Sequence, residues 1–130
     1  MVVRRHRASV VLGVILMIIP AMLGLAACDS DDAVNCVRAA DALSDSVGIL
    51  GEAVKDSVLY PESADQSIDR VRNELKDLRA KHHDKDVVAG VDDMEKALDN
   101  VQEAVDHGDR TPDLSPVVNG TARIAKACAR

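Results

Sequence analysis

Apolar residues recur at alternating steps of four and three through four successive segments, and this spacing limits the fold more than any other feature of the chain. A repeat of this kind gathers each segment's apolar residues into one stripe on an α-helix. The first segment carries Cys36, Ala40, Leu43, Val47, Leu50 and Val54, with Val58 one step further. The second carries Ala64, Ile68, Val71, Leu75, Leu78 and His82. The third carries Val87, Val91, Met94, Leu98, Val101 and Val105, and the fourth Val117, Thr121, Ile124 and Cys128. Strand-like alternation competes nowhere over a comparable length. No internal repeat and no low-complexity linker interrupts the series.

Punctuation residues place the ends. Ser30 with Asp31 and Asp32 suits a capped, acid-rich first turn. Pro61 ends the first helix near Tyr60, because a residue before proline is pushed out of the helical region. Ser63 and Gln66 have capping-box spacing. Arg79, Lys81, His82 and His83 gather at the end of the second helix, where the macrodipole favours cations. Asp84 or Asp86 can cap the third helix, and Gly108 suits a left-handed terminator after His107. Pro112 and Pro116 compete for the start of the fourth helix. Ser115 as cap with Pro116 in the first turn avoids the clash that an interior proline creates. Short connections favour antiparallel neighbours. The expectation is an all-α fold, an antiparallel up-down-up-down four-helix bundle.

Upstream of these segments, Arg4, Arg5 and Arg7 precede a run from Val10 to Leu25 that is nearly all apolar, broken by Gly13, Pro20 and Gly24. Small residues Ala26 and Ala27 then lead to Cys28. This is the layout of a secretory signal peptide. Leu25-Ala26-Ala27-Cys28 resembles the lipobox of bacterial lipoprotein signal peptides, and the resemblance covers residues 1–28. It implies that diacylglycerol is added to the Cys28 sulfur and that the chain is cut before Cys28. Lipid there would anchor the body to the cell membrane at its extracytoplasmic face. Other readings of the same run are an uncleaved transmembrane helix, which needs ~18 or more apolar residues, and cleavage without lipid. Arg4-Arg5 also fits a twin-arginine signal, but its flanks suit a general secretory n-region better.

The organisation expected is a signal peptide over residues 1–27 and a single helical domain over 28–130, long enough for one small core. Of the 16 basic residues, three leave with the signal, and none of the 22 acidic ones do, so the mature net charge is −9. An acidic body argues against nucleic acid, where neutralisation of phosphates dominates affinity. Phe and Trp are absent and Tyr60 is the only aromatic residue, so base stacking and aromatic cages are excluded. With Cys28 consumed by lipid, Cys36 and Cys128 remain, in a compartment where disulfides persist. An up-down-up-down order puts both at one pole and on the apolar seam, so a Cys36–Cys128 disulfide is expected.

No catalytic set and no cofactor motif is present. His82-His83-Asp84-Lys85-Asp86 offers imidazoles and carboxylates, but adjacent histidines diverge on a helix and metal sites draw spaced ligands from rigid elements. That stretch reads better as a solvated loop. Gly48, Gly51 and Gly90 inside helices suggest close packing or a mild bend. In its richness in Ala, Val, Asp and Arg, and in its two body cysteines, the mature part resembles small exported helical proteins of actinobacteria, a resemblance that implies no named activity. The function expected is a membrane-anchored interaction or structural module, not an enzyme. The alternative is a small-ligand or metal-binding lipoprotein using the bundle core or the His82 loop. Antiparallel order also sorts the charges, leaving the pole away from Cys28 strongly acidic. A cationic protein or cell-wall polymer is therefore the expected partner.

Overall fold

The computed structural model describes residues 30–130. The signal segment and Cys28 lie outside the described residues. Four helices follow in order: α1 (Ser30–Lys55), α2 (Pro61–Lys81), α3 (Lys85–Asp106) and α4 (Ser115–Cys128). Each packs against its sequence neighbour, and α1 closes the ring against α4. This is the antiparallel four-helix bundle that the apolar spacing implies. The proximal pole holds the start of α1, the α2–α3 connection and the end of α4. The distal pole holds the α1–α2 turn and the α3–α4 loop.

The seam residues form the core. Cys36, Ala40, Leu43, Val47, Leu50 and Val54 of α1 are all buried, as are Ala64, Ile68, Val71, Leu75 and Leu78 of α2. Val87, Val91, Met94, Leu98 and Val101 of α3 and Val117, Thr121, Ile124 and Cys128 of α4 complete it. Lacking large rings, the interior gains density by bringing α3 and α4 close together. Gly90 faces Ile124, and Gly120 faces the Met94 side chain so tightly that a methyl group in its place would overlap it.

Several ends differ from the sequence expectation. Helix α1 stops at Lys55, short of Tyr60, and residues 56–59 form a turn. Ser57 N–H donates to the Val54 carbonyl at 3.2 Å, a tighter bond than the helical one. That tightening rotates the chain, so Ser57 is buried and Val58, next in the seam, is 49% exposed. Helix α2 begins at Pro61, with Tyr60 before it and no side-chain cap. The Ser63–Gln66 capping box does not form, because proline's fixed φ starts the helix two residues earlier and places Ser63 inside it. His82, the last member of the second apolar series, closes α2 with an extended backbone and is half-buried.

The remaining ends follow their local chemistry. Asp84 caps α3, its Oδ1 accepting from the backbone N–H groups of Asp86 at 2.8 Å and Val87 at 3.3 Å. Gly108, at φ +76°, terminates α3. Its N–H donates to Val105 O and that of Asp109 to Ala104 O, which satisfies carbonyls that the helix leaves unpaired. Helix α4 starts at Ser115 with Pro116 second, and Pro112 stays outside it. The cap comes from Asp113, whose Oδ1 accepts from Ser115 N–H at 2.9 Å, rather than from Ser115 itself. No described helix is long and apolar enough to cross a membrane.

Candidate functional site

At the proximal pole, Cys36 on α1 and Cys128 on α4 are joined, with Cα atoms 5.3 Å apart, inside the range that a disulfide spans. Both are buried. Arg130, two residues on, reaches back to Asp86 on α3 at 3.0 Å. The bridge therefore ties the first helix to the last at the end where the described chain begins.

The His82 loop lies at the same pole. His82 and His83 line a surface groove with Asp32, Asp84 and Arg130. No group of three or more metal-competent side chains converges among the described residues. Between α1 and α2 lies an open cleft of 670 Å³, floored by Ala39, Ala42 and Leu78 and edged by Asp32, Asp77 and Lys81. Ser46 Oγ donates to Glu74 Oε1 at 2.7 Å at its inner wall, while Glu74 Oε2 is buried with no partner among the described residues. This cleft sits on the flank of the bundle, not along its axis.

Charge pairing divides the molecule. Arg79 on α2 bridges to Asp92 and Glu95 on α3, and Arg72 to Asp99 at 2.9 Å. Arg123 on α4 pairs with Asp93 on α3. Together with Arg130–Asp86, these ion pairs lie between mid-bundle and the proximal pole. Among the described residues, none involves Glu52, Asp56, Glu62, Asp65, Asp69, Glu103, Asp106, Asp109 or Asp113. Two of these distal carboxylates are instead linked by a neutral amide: Gln102 Nε2 donates to Asp65 and to Asp106, each at 2.9 Å. Asp113 is held below the usual aspartate range, first by the Ser115 backbone N–H and then by the Ser115 hydroxyl.

Within this acidic surround sit exposed apolar side chains. Leu59 is 75% and Tyr60 64% exposed, beside Val58 in the α1–α2 turn. Ile49, one turn back from Ala53 on α1, is also half in water. Ile49, Ala53 and Tyr60 line one apolar strip at the distal pole, with Leu59 next to Tyr60 in the turn. The acidic pole was legible in the sequence. The apolar strip was not, because Val58 looked like a seam residue and Leu59 and Tyr60 like the end of a helix. The available signal was that Leu59 and Tyr60 both fall off the seam.

No family model, no curated protein and no solved structure matches the chain.

Proposed function

We propose that this chain is a membrane-anchored extracytoplasmic lipoprotein, without catalytic activity, that serves as an interaction module. Lipid on Cys28 holds the proximal pole at the bilayer, and the distal pole meets a partner. The observation that carries this reading is the exposure of Val58, Leu59 and Tyr60 at the end of the bundle away from Ser30. Large apolar side chains gathered in water mark interaction sites, whereas scattered ones do not. Ser30, where α1 begins, is only two residues from Cys28, a reach of at most ~7 Å. Anchored there, the bundle stands directly on the membrane with its tip outward. A diacyl group gives the two chains that stable anchoring needs.

The experiment has two arms. Metabolic labelling with a palmitate analogue should mark the wild type and not Cys28→Ser. Equal labelling of both chains would remove the anchor. Proteins co-purifying with the wild type should be lost on replacing Leu59 and Tyr60 by Ser, and an unchanged set would remove the distal tip as the contact.

A second reading is favoured by the unpartnered Glu74 oxygen beside a 670 Å³ cleft, a volume typical of small-molecule sites. In that case the protein carries a small cationic ligand on its α1–α2 flank. Alkylamines should then raise the wild-type melting temperature and leave that of Glu74→Gln unmoved.

A further inference from the structure

We propose that the groove between the C-terminal half of α1 and the N-terminal half of α2 is the docking site for a cationic amphipathic peptide segment of a partner protein. This rests on the reading of the distal pole as the contact surface, and it names the chemistry of the partner.

The groove encloses 360 Å³. Ile49, Ala53 and Tyr60 form its apolar side, Glu52 and Asp56 its acidic rim, and Arg70 is the cation that lines it. It exists because α2 presents Ser63 and Ser67 opposite Ala53 of α1. No large side chain from either helix fills the space, and Ile49 and Tyr60 remain in water at its edges. Ile49 and Ala53 are four residues apart and share one face of α1, Tyr60 continues the strip past the helix end, and Leu59, 75% exposed, stands next to it in the turn. An elongated apolar strip between two helices receives a third helix, whose anchors recur at i, i+3 or i+4, and i+7.

Charge selects the occupant. Glu52 and Asp56 border the strip, and neither is in an ion pair among the described residues. Lys or Arg flanking the apolar anchors of an incoming helix would meet these carboxylates. An anionic bilayer presents the wrong sign, so the same acids that attract such a helix repel that surface. A second copy of this chain is also disfavoured. Tip against tip would set acid on acid, with only Lys55, Arg70 and Arg110 as cations at that pole among the described residues.

Tyr60 is the only aromatic residue, so its emission in the purified full chain reports on this groove directly. The probe is a synthetic helical peptide of Leu and Lys, about 18 residues long and free of aromatics, with Leu on one face. Titration should change Tyr60 emission saturably. Affinity should fall at least ~tenfold in Ile49→Ser, in Leu59→Ser, and in the double variant Glu52→Gln with Asp56→Asn, as truncation of a central contact does. It should change less than ~twofold in Val34→Ser, which alters exposed apolar surface at the proximal pole, about 22 Å along α1 from Ile49, a change of under ~0.4 kcal/mol.

Equal binding of a peptide with the same composition but no apolar face would overturn the proposal, leaving only diffuse charge attraction. So would a Tyr60 response to phosphatidylglycerol vesicles in place of the peptide, or one that tracks protein concentration with no peptide present. The last two outcomes would assign the strip to a bilayer and to a second copy. Peptide binding that ignores the Ile49 and Leu59 changes also overturns it. Loss of peptide binding alongside Leu59-dependent capture from cells would sink this proposal and spare the broader reading. Peptide binding without lipid at Cys28 would do the reverse.

Discussion

Gly48 and Gly90 occupy similar places inside helices and carry opposite weight. A methyl group at Gly90 would lie 2.7 Å from Ile124 Cγ1 and 3.7 Å from the Ile124 backbone nitrogen. Ile124 is buried and β-branched, so it cannot swing away and α4 itself must move. At Gly48, apart from its own stretch of helix, no described residue lies within 4 Å of that position. Gly90→Ala should therefore cost ~1–3 kcal/mol from overpacking. Gly48→Ala should stabilise by up to ~1 kcal/mol through helix propensity alone. Urea unfolding of the two variants checks both signs. A stabilised Gly90→Ala would mean that α3 and α4 do not approach as described.

Among the elements, α4 depends most on what holds its ends. With 14 residues it is the shortest of the described helices, and isolated helices of that length are marginal in water. Leu114, just before it, packs on the core and meets α1 where Gly51 leaves room. At its start, the Asp113 carboxylate accepts from Ser115 N–H, which lowers its folded pKa. A carboxyl with a lowered folded pKa adds stability above its unfolded value of ~3.9. That stability fades as pH falls through the folded value. The melting temperature of Asp113→Asn should thus trail that of the wild type at neutral pH and converge with it in strong acid. A gap that stays constant with pH would show that the charge is not what matters there.

At its other end α4 is tied through Cys128 to Cys36, 92 residues away in sequence. Closing a loop of that size removes unfolded-state entropy equivalent to ~4–5 kcal/mol in the chain-entropy model. For a core of Val, Leu, Ile, Ala and Met with no aromatic ring, that is a large share of an ordinary domain's ~5–15 kcal/mol. Cys128→Ser should lower the melting temperature markedly, and α4 amides should exchange with solvent first. If calorimetry finds the variant as stable as the wild type, the bridge is dispensable to the bundle.

At the scale of the whole molecule, the bundle is electrostatically lopsided. Its ion pairs cluster from mid-bundle to the proximal pole, while nine distal carboxylates have no cation within bridging distance among the described residues. Like charges held together at one end repel and oppose the compact state. Exposed charges are screened over ~8–10 Å near physiological ionic strength and over ~30 Å at low salt. Raising sodium chloride from ~0.02 to ~0.2 M should accordingly stabilise the fold. The triple change Glu103→Gln, Asp106→Asn and Asp109→Asn should flatten that dependence. Identical salt slopes for the two proteins, followed by circular dichroism melts, would show that the distal acids are too well solvated to interact.

Helix number, helix order, the pairing of Cys36 with Cys128 and the seam residues other than Val58 and His82 were determined by the sequence alone. Their physical reason is local: a four-and-three apolar period can be buried in one way on a helix, and short connections force neighbours to run antiparallel. The capping aspartate at 84 and the left-handed Gly108 were legible for the same reason, since each acts on groups within a few residues of itself. Tertiary structure decided the rest. Where α1 stops, and hence whether Val58 is core or surface, depends on how the chain must turn to set α2 against it. Which glycines are packing devices depends on interhelix distances, so the sequence sets Gly48 beside Gly90 as equals and gives no sign of Gly120. The apolar strip at the acidic pole depends on small residues of α2 standing opposite α1. That is a relation across the bundle which no spacing along the chain encodes.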